Sequence, residues 1–136
     1  MKVIVLDTNC LIQILPKKAS HRWLFDEIQD NTIELAVTTE ILLEYEEIID
    51  MIFSPGVGND LVELLLSLDS TRLVEPSYRW TVVAKDADDD KYVDCAVAAN
   101  ADYLISNDKH FAVLDTIDFP KIERLKLNQV KESLFN

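Results

Sequence analysis

Val3-Ile4-Val5-Leu6 is a run of four apolar residues, three of them β-branched, and Asp7 stops it. A strand this short with no polar face has to be covered on both sides, which is the situation of a strand inside a parallel sheet. Strand-like runs recur at 33–37 and 103–106, and weaker ones at 72–74 and 122–125. Between them the apolar residues fall at helical spacing. The pattern predicts helices over 10–15, 19–29, 57–68, 90–100 and 129–135, and a helix from the Thr38-Thr39 cap to about Phe53. Thr is a favoured cap, and Glu40 lies in the first turn, where the dipole favours an acid. Pro55-Gly56 marks a turn, residues 110–114 a short helical turn, and 76–85 is ambiguous. Strands alternating with helices argue for an α/β fold whose mostly parallel sheet is covered on both faces.

A chain of 136 residues suits a single domain spanning 1–136. With 49% hydrophobic and 28% charged residues, and only two Gly, it is not a disordered composition. No apolar run approaches the ~18 residues of a membrane span. The start has no signal-peptide pattern, so the expectation is a cytoplasmic protein without a membrane partner. Cys10 and Cys95 form no metal-binding spacing and read as buried thiols. His21 and His110 read as surface or loop residues.

The acids carry the chemistry. Ligands of such sheets gather beyond the carboxyl ends of the strands. Asp7 and Asp108 sit there, after Val-Ile-Val-Leu and Tyr-Leu-Ile-Ser-Asn. Glu44 lies a little over one turn into the helix that leaves the second strand. Asp90 and Asp94 are four residues apart and share a helix face. Asp94 is followed by Cys-Ala-Val-Ala-Ala, so an acid stands in an apolar helix. A buried carboxylate is costly unless paired or coordinated, and like charges raise each other's pKa. Each acid also has a bland reading: Asp7 caps the next helix, Glu44 is solvated beside Glu46 and Glu47, Asp90 belongs to a capping run, and Asp108 is a turn residue. No Lys or Arg in these segments is an obvious partner for all of them. A hard divalent ion, Mg²⁺ or Mn²⁺, explains their convergence with one assumption. It also eases an apparent conflict, since a net charge of −12 is otherwise wrong for a phosphate-binding protein.

At these residues the chain resembles the PIN-domain family, in particular its VapC-like branch of toxin components from toxin–antitoxin pairs. The matching segments are Val5-Leu6-Asp7-Thr8-Asn9, then Thr38-Thr39-Glu40-Ile41-Leu42-Leu43-Glu44-Tyr45, then Asp88-Asp89-Asp90-Lys91-Tyr92-Val93-Asp94-Cys95-Ala96. The last runs on into Ala101-Asp102-Tyr103-Leu104-Ile105-Ser106-Asn107-Asp108-Lys109-His110-Phe111. The resemblance implies a three-layer α/β/α sandwich and a ribonuclease that uses one or two Mg²⁺ or Mn²⁺ ions. Its catalytic acids carry over as Asp7, Glu44, Asp90 and Asp108, with Asp94 a further candidate metal ligand. Asn9 and Ser106 fall where side chains hold the acids in place. The family's Thr-Gly-Asp or Thr-Arg-Asp is here Ser106-Asn107-Asp108, which keeps the hydroxyl and the acid and bears on substrate preference. An RNA substrate, an antitoxin partner and a homodimer are implied too, with apolar helix faces at 41–52 and 61–68 as a candidate interface. Lys17, Lys18, Arg22, Lys91 and Lys109, together with Lys85, are candidate RNA contacts.

Three rival readings share parts of this pattern. A phosphate-accepting receiver domain wants an acid pair after its first strand, where Asp7-Thr8-Asn9 has one acid. A phosphatase with an Asp nucleophile wants a second Asp two residues on, where Asn9 stands. A PIN-like scaffold that binds RNA or protein without cutting would tolerate loss of the acids that this chain keeps.

Overall fold

The computed structural model describes residues 1–83 and 87–135. Its centre is β1 (Val3–Leu6), all four residues of which are buried. β1 lies between β2 (Glu34–Val37) and β4 (Tyr103–Ile105), and the sheet continues outward to β3 (Thr71–Leu73) and β5 (Arg124–Leu125). The order is β3-β2-β1-β4-β5, and every pairing is parallel. Consecutive residues Ile4, Val5 and Leu6 have no exposed surface, and neither do Leu35, Ala36 and Val37. Since successive side chains point to opposite faces, both faces of the sheet are covered.

The cover is helical. In chain order the helices are α1 (Thr8–Ile14), α2 (Arg22–Gln29), α3 (Thr39–Ile52), α4 (Val57–Ser67), α5 (Asp90–Ala98) and α6 (Val130–Phe135). α5 packs against β1, β2 and β4, while α3 and α4 pack against each other. The helices thus flank an all-parallel sheet, the arrangement of a PIN-like fold. α1 starts two residues before its predicted position, because Asp7 caps it and draws Thr8 and Asn9 into the first turn. α2 is shorter than 19–29 suggested, because 19–21 form a turn ahead of it. The last strand shrinks to Arg124–Leu125, where pairing with β4 occurs. The ambiguous stretch holds no helix or strand over 76–83; Lys85 and Asp86 lie outside the described residues. Cys10 and Cys95 are both free and buried.

Candidate metal centre at the carboxyl end of the sheet

Two neighbouring strands supply the first half of the site. Asp7 directly follows β1, and its amide donates to the Ile105 carbonyl at 3.2 Å, so the ends of β1 and β4 lie side by side. One Asp7 carboxylate oxygen accepts the Cys10 amide at 2.8 Å and thereby caps α1; the other accepts the Ser106 hydroxyl. Ser106 Oγ in turn accepts the Asp108 amide at 3.0 Å. Asp108 then caps the 3₁₀ turn over Lys109–Asp115 by accepting the His110 amide at 2.9 Å. Asp7 and Asp108 therefore cap helical turns, as a bland reading would have it, and share one buried hydroxyl as well.

Glu44 comes from α3. Thr38 caps that helix by accepting the Ile41 amide at 3.0 Å, with Glu40 in the first turn. Tyr45, the neighbour of Glu44, is fully buried and donates its hydroxyl to the Leu6 carbonyl at 2.6 Å, which pins α3 to the end of β1. One Glu44 oxygen accepts the hydroxyls of Thr8 and Tyr92, which lie 2.6 Å apart. The other is 2.9 Å from Lys91 Nζ. Burial pushes the Glu44 pKa up, but these hydrogen bonds and the lysine outweigh it and leave a net lowering.

Asp7, Glu44 and Asp108 line one cavity of about 220 Å³, together with Thr8, Asn9, Ile48, Asp89 and Tyr92. Three of the four predicted catalytic acids meet there. The fourth acid at this cavity is Asp89. Asp90 is buried and accepts the Val83 amide at 2.6 Å. Asp94 accepts the Trp80 amide at 2.8 Å and lines an adjacent cavity with Thr38, Glu40, Arg79 and Lys91. Both acids of that helix face thus anchor the segment crossing from β3 towards α5. The partner of the acid in the apolar helix is a backbone N–H.

The supporting residues divide similarly. Ser106 is fully buried on Asp7, whereas Asn9 stands exposed at the cavity edge. Lys17, Lys18 and Lys109 are exposed. Arg22 is half-buried, pairs with Asp26 at 3.1 Å and donates to the Leu15 carbonyl. Lys91 is buried on Glu44, not displayed to solvent. His110, expected as a surface or loop residue, places Nδ1 3.5 Å from Asp108 and 3.8 Å from Asp89. Ligand atoms of Asp89, Asp108 and His110 all lie within 4.8 Å of one another. The places of Thr8, Tyr92 and His110 beside these acids escape a reading based on acids alone, and such a reading passes over Asp89 in favour of Asp90. A signal existed for Thr8 in its position directly after a strand-end Asp.

The donor set fits a hard divalent cation. It is rich in carboxylate oxygen, and His110 adds one borderline nitrogen. The electrostatics agree: burial pushes the Asp7 pKa up and the Asp108 charge adds to this, against the lowering effect of Ser106 and Cys10. A nearby cation relieves both effects.

Solved structures with this fold exist. VapBC2 from Rickettsia felis, bound to a DNA fragment from its promoter, aligns with a TM-score of 0.60 at 17% identity, over 91% of this chain and 98% of the other. FitAcB from Neisseria gonorrhoeae aligns at 0.54 with 15% identity, over 93% and 99%. FitAB bound to an IR36 DNA fragment aligns at 0.54 and 15%, over 91% and 94%. No curated protein sequence matches the chain. A PIN domain family model matches residues 3–110, a stretch that holds β1, β4 and every acid of the cavity, and the chain belongs to that family.

Proposed function

We propose that the chain is a metal-dependent endoribonuclease and the toxin component of a toxin–antitoxin pair. The observation that carries the nuclease reading is the convergence of Asp7, Glu44, Asp89 and Asp108 on one cavity at the carboxyl end of a parallel sheet. Asp7, Asp89 and Asp108, with His110, are the groups to hold Mg²⁺ or Mn²⁺. When bound, the ion supplies charge compensation at phosphorus and activates water, so no side chain need serve as covalent nucleophile. Ser106 fixes the Asp7 carboxylate, and the capping bonds of Asp7 and Asp108 keep both acids aimed at the cavity. Asp89 takes the place at this cavity that the family resemblance gave to Asp90.

The partner side of the reading rests on the likeness to VapBC2 and the FitAB structures. The helices also leave apolar surface open: Leu43, Met51, Ile52 and Phe53 of α3 and its C-terminal end, and Leu66 of α4, are exposed. An antitoxin or a second copy of the chain fits such a surface. Exposed Lys17, Lys18 and Lys109 are the candidate RNA contacts that solvent can reach.

Asp7→Asn and Asp108→Asn each preserve shape while removing one charge. In both purified variants Mn²⁺-dependent cleavage of single-stranded RNA is expected to fall at least about a hundredfold, with circular dichroism unchanged. Wild-type cleavage by either variant overturns the assignment. Mn²⁺ binding by the wild type without cleavage of any RNA would favour a scaffold that binds and does not cut.

A further inference from the structure

Lys91 is 7% exposed, yet it carries an ammonium onto an acid of the cavity, Glu44. Its Nζ lies 2.9 Å from Glu44 Oε1, donates to the Asp88 carbonyl at 2.7 Å, and sits 5.2 Å from the centre of the Tyr92 ring. A buried ammonium is costly unless a carboxylate and further acceptors meet it, and here they do. The Thr8 and Tyr92 hydroxyls occupy the other Glu44 oxygen. Glu44 thus has its full complement of donors from this chain. Asp7, in the same cavity, is met by neutral donors, the Ser106 hydroxyl and the Cys10 amide.

We propose that Lys91 takes the place of a second metal ion: its ammonium compensates Glu44, so the cavity binds one divalent cation per chain, on the Asp7–Asp108 side. This rests on the metal-dependent reading above and narrows it. A divalent ion on Glu44 would have to displace Lys91, strand a buried ammonium and break the hydroxyl contacts of Thr8 and Tyr92. It would also lie close to the first cation and be repelled by it. Lys91 is in these terms a positioning residue, which holds Glu44 at the cavity edge and sets the number of ions.

Counting bound Mn²⁺ by equilibrium dialysis, with the free ion read by electron paramagnetic resonance, tests this without reference to activity. Wild type is expected to bind one Mn²⁺ per chain, Lys91→Arg one, and Lys91→Met two, because the freed Glu44 then needs a cation. The double variant Lys91→Met/Glu44→Gln is neutral at this spot and is expected to bind one ion with affinity near that of wild type. It also serves if the single Lys91→Met chain does not fold. Loss of a direct ligand would instead weaken binding by at least about tenfold. Two ions on the wild type, one on Lys91→Met, or such a loss in the double variant overturns the inference and leaves the nuclease reading standing. No ion on the wild type overturns both.

Discussion

Ser106 ties the Asp7 carboxylate to the Asp108 backbone through one oxygen, donating to Asp7 and accepting from the Asp108 amide. Both contacts vanish in Ser106→Ala, which adds only a small void in a fully buried spot. Outer groups that orient metal ligands are typically worth 10–100-fold in metal affinity, so Mn²⁺ binding in this variant is expected to weaken by about that factor. Isothermal titration checks it, and unchanged affinity would mean that Ser106 is packing alone. At this scale the sequence exposes some placements and hides others. Asp7 and Asp108 were legible because a strand end is visible as the last residue of an apolar run. The backbone partners of Asp90 and Asp94, the Val83 and Trp80 amides, were not legible, because they belong to a segment without periodicity. A backbone N–H leaves no mark in a sequence. That Asp89 and not Asp90 lines the cavity was hidden for a similar reason, since one residue of rotation at a helix start decides which carboxylate faces it.

Gly58 shows what the elements demand of one another. α4 crosses α3 so closely there that a β-carbon on Gly58 would lie 2.2 Å from the Glu46 carbonyl oxygen and 2.8 Å from an Asp50 carboxylate oxygen. The Gly58 amide also donates to that carboxylate at 2.7 Å. A carbonyl inside a helix cannot give way cheaply. Gly58→Ala is therefore expected to cost at least about 2 kcal/mol, measured by urea unfolding, within the range for overpacked sites. Gly56 differs: nothing lies near its missing β-carbon, and its φ of +95° alone favours glycine. Pro55-Gly56 announces its turn in the sequence, but Gly58 does not announce its contact, which exists only once two helices have met. The same divide runs through the sheet. The five strands were legible from apolar runs and from the helices between them. Their order was not, because β1 pairs with β4 across 99 positions, Asp7 reaching Ser106, while adjacent runs give no hint of it.

Across the whole molecule, 25 acids face 13 Lys and Arg, and the fold concentrates part of that excess in buried positions. Burial raises the pKa of Asp7, and it does the same to Asp94, where Asp90 adds to it. A carboxyl whose folded value lies above its ordinary one, near 3.8, contributes stability in full below that ordinary value and loses it as the pH rises through the folded value. Glu44 runs the other way: its contribution is present above its ordinary value of 4.5 and is lost as the pH falls through the lowered one. Above those raised values the metal-free protein carries the Asp7 and Asp94 charges at a cost, and general self-repulsion adds to it. In EDTA the melting temperature is expected to fall as the pH rises through the raised folded values of Asp7 and Asp94. Asp7→Asn removes the charge, keeps the Cys10 cap on Oδ1, and leaves Nδ2 to donate to Ser106 Oγ where Asp7 accepted from it; it is expected to melt at or above wild type in EDTA at pH 7, with a weaker pH dependence. Saturating Mn²⁺ should invert that order, since an ion at about a hundred times its dissociation constant adds about 2.7 kcal/mol to wild type, while the variant binds it more weakly. Thermal scans of both proteins, with and without Mn²⁺, read all of this at once. If Asp7→Asn melts well below wild type in EDTA, the Asp7 charge stabilises the fold by itself, and the cavity has no need of a cation.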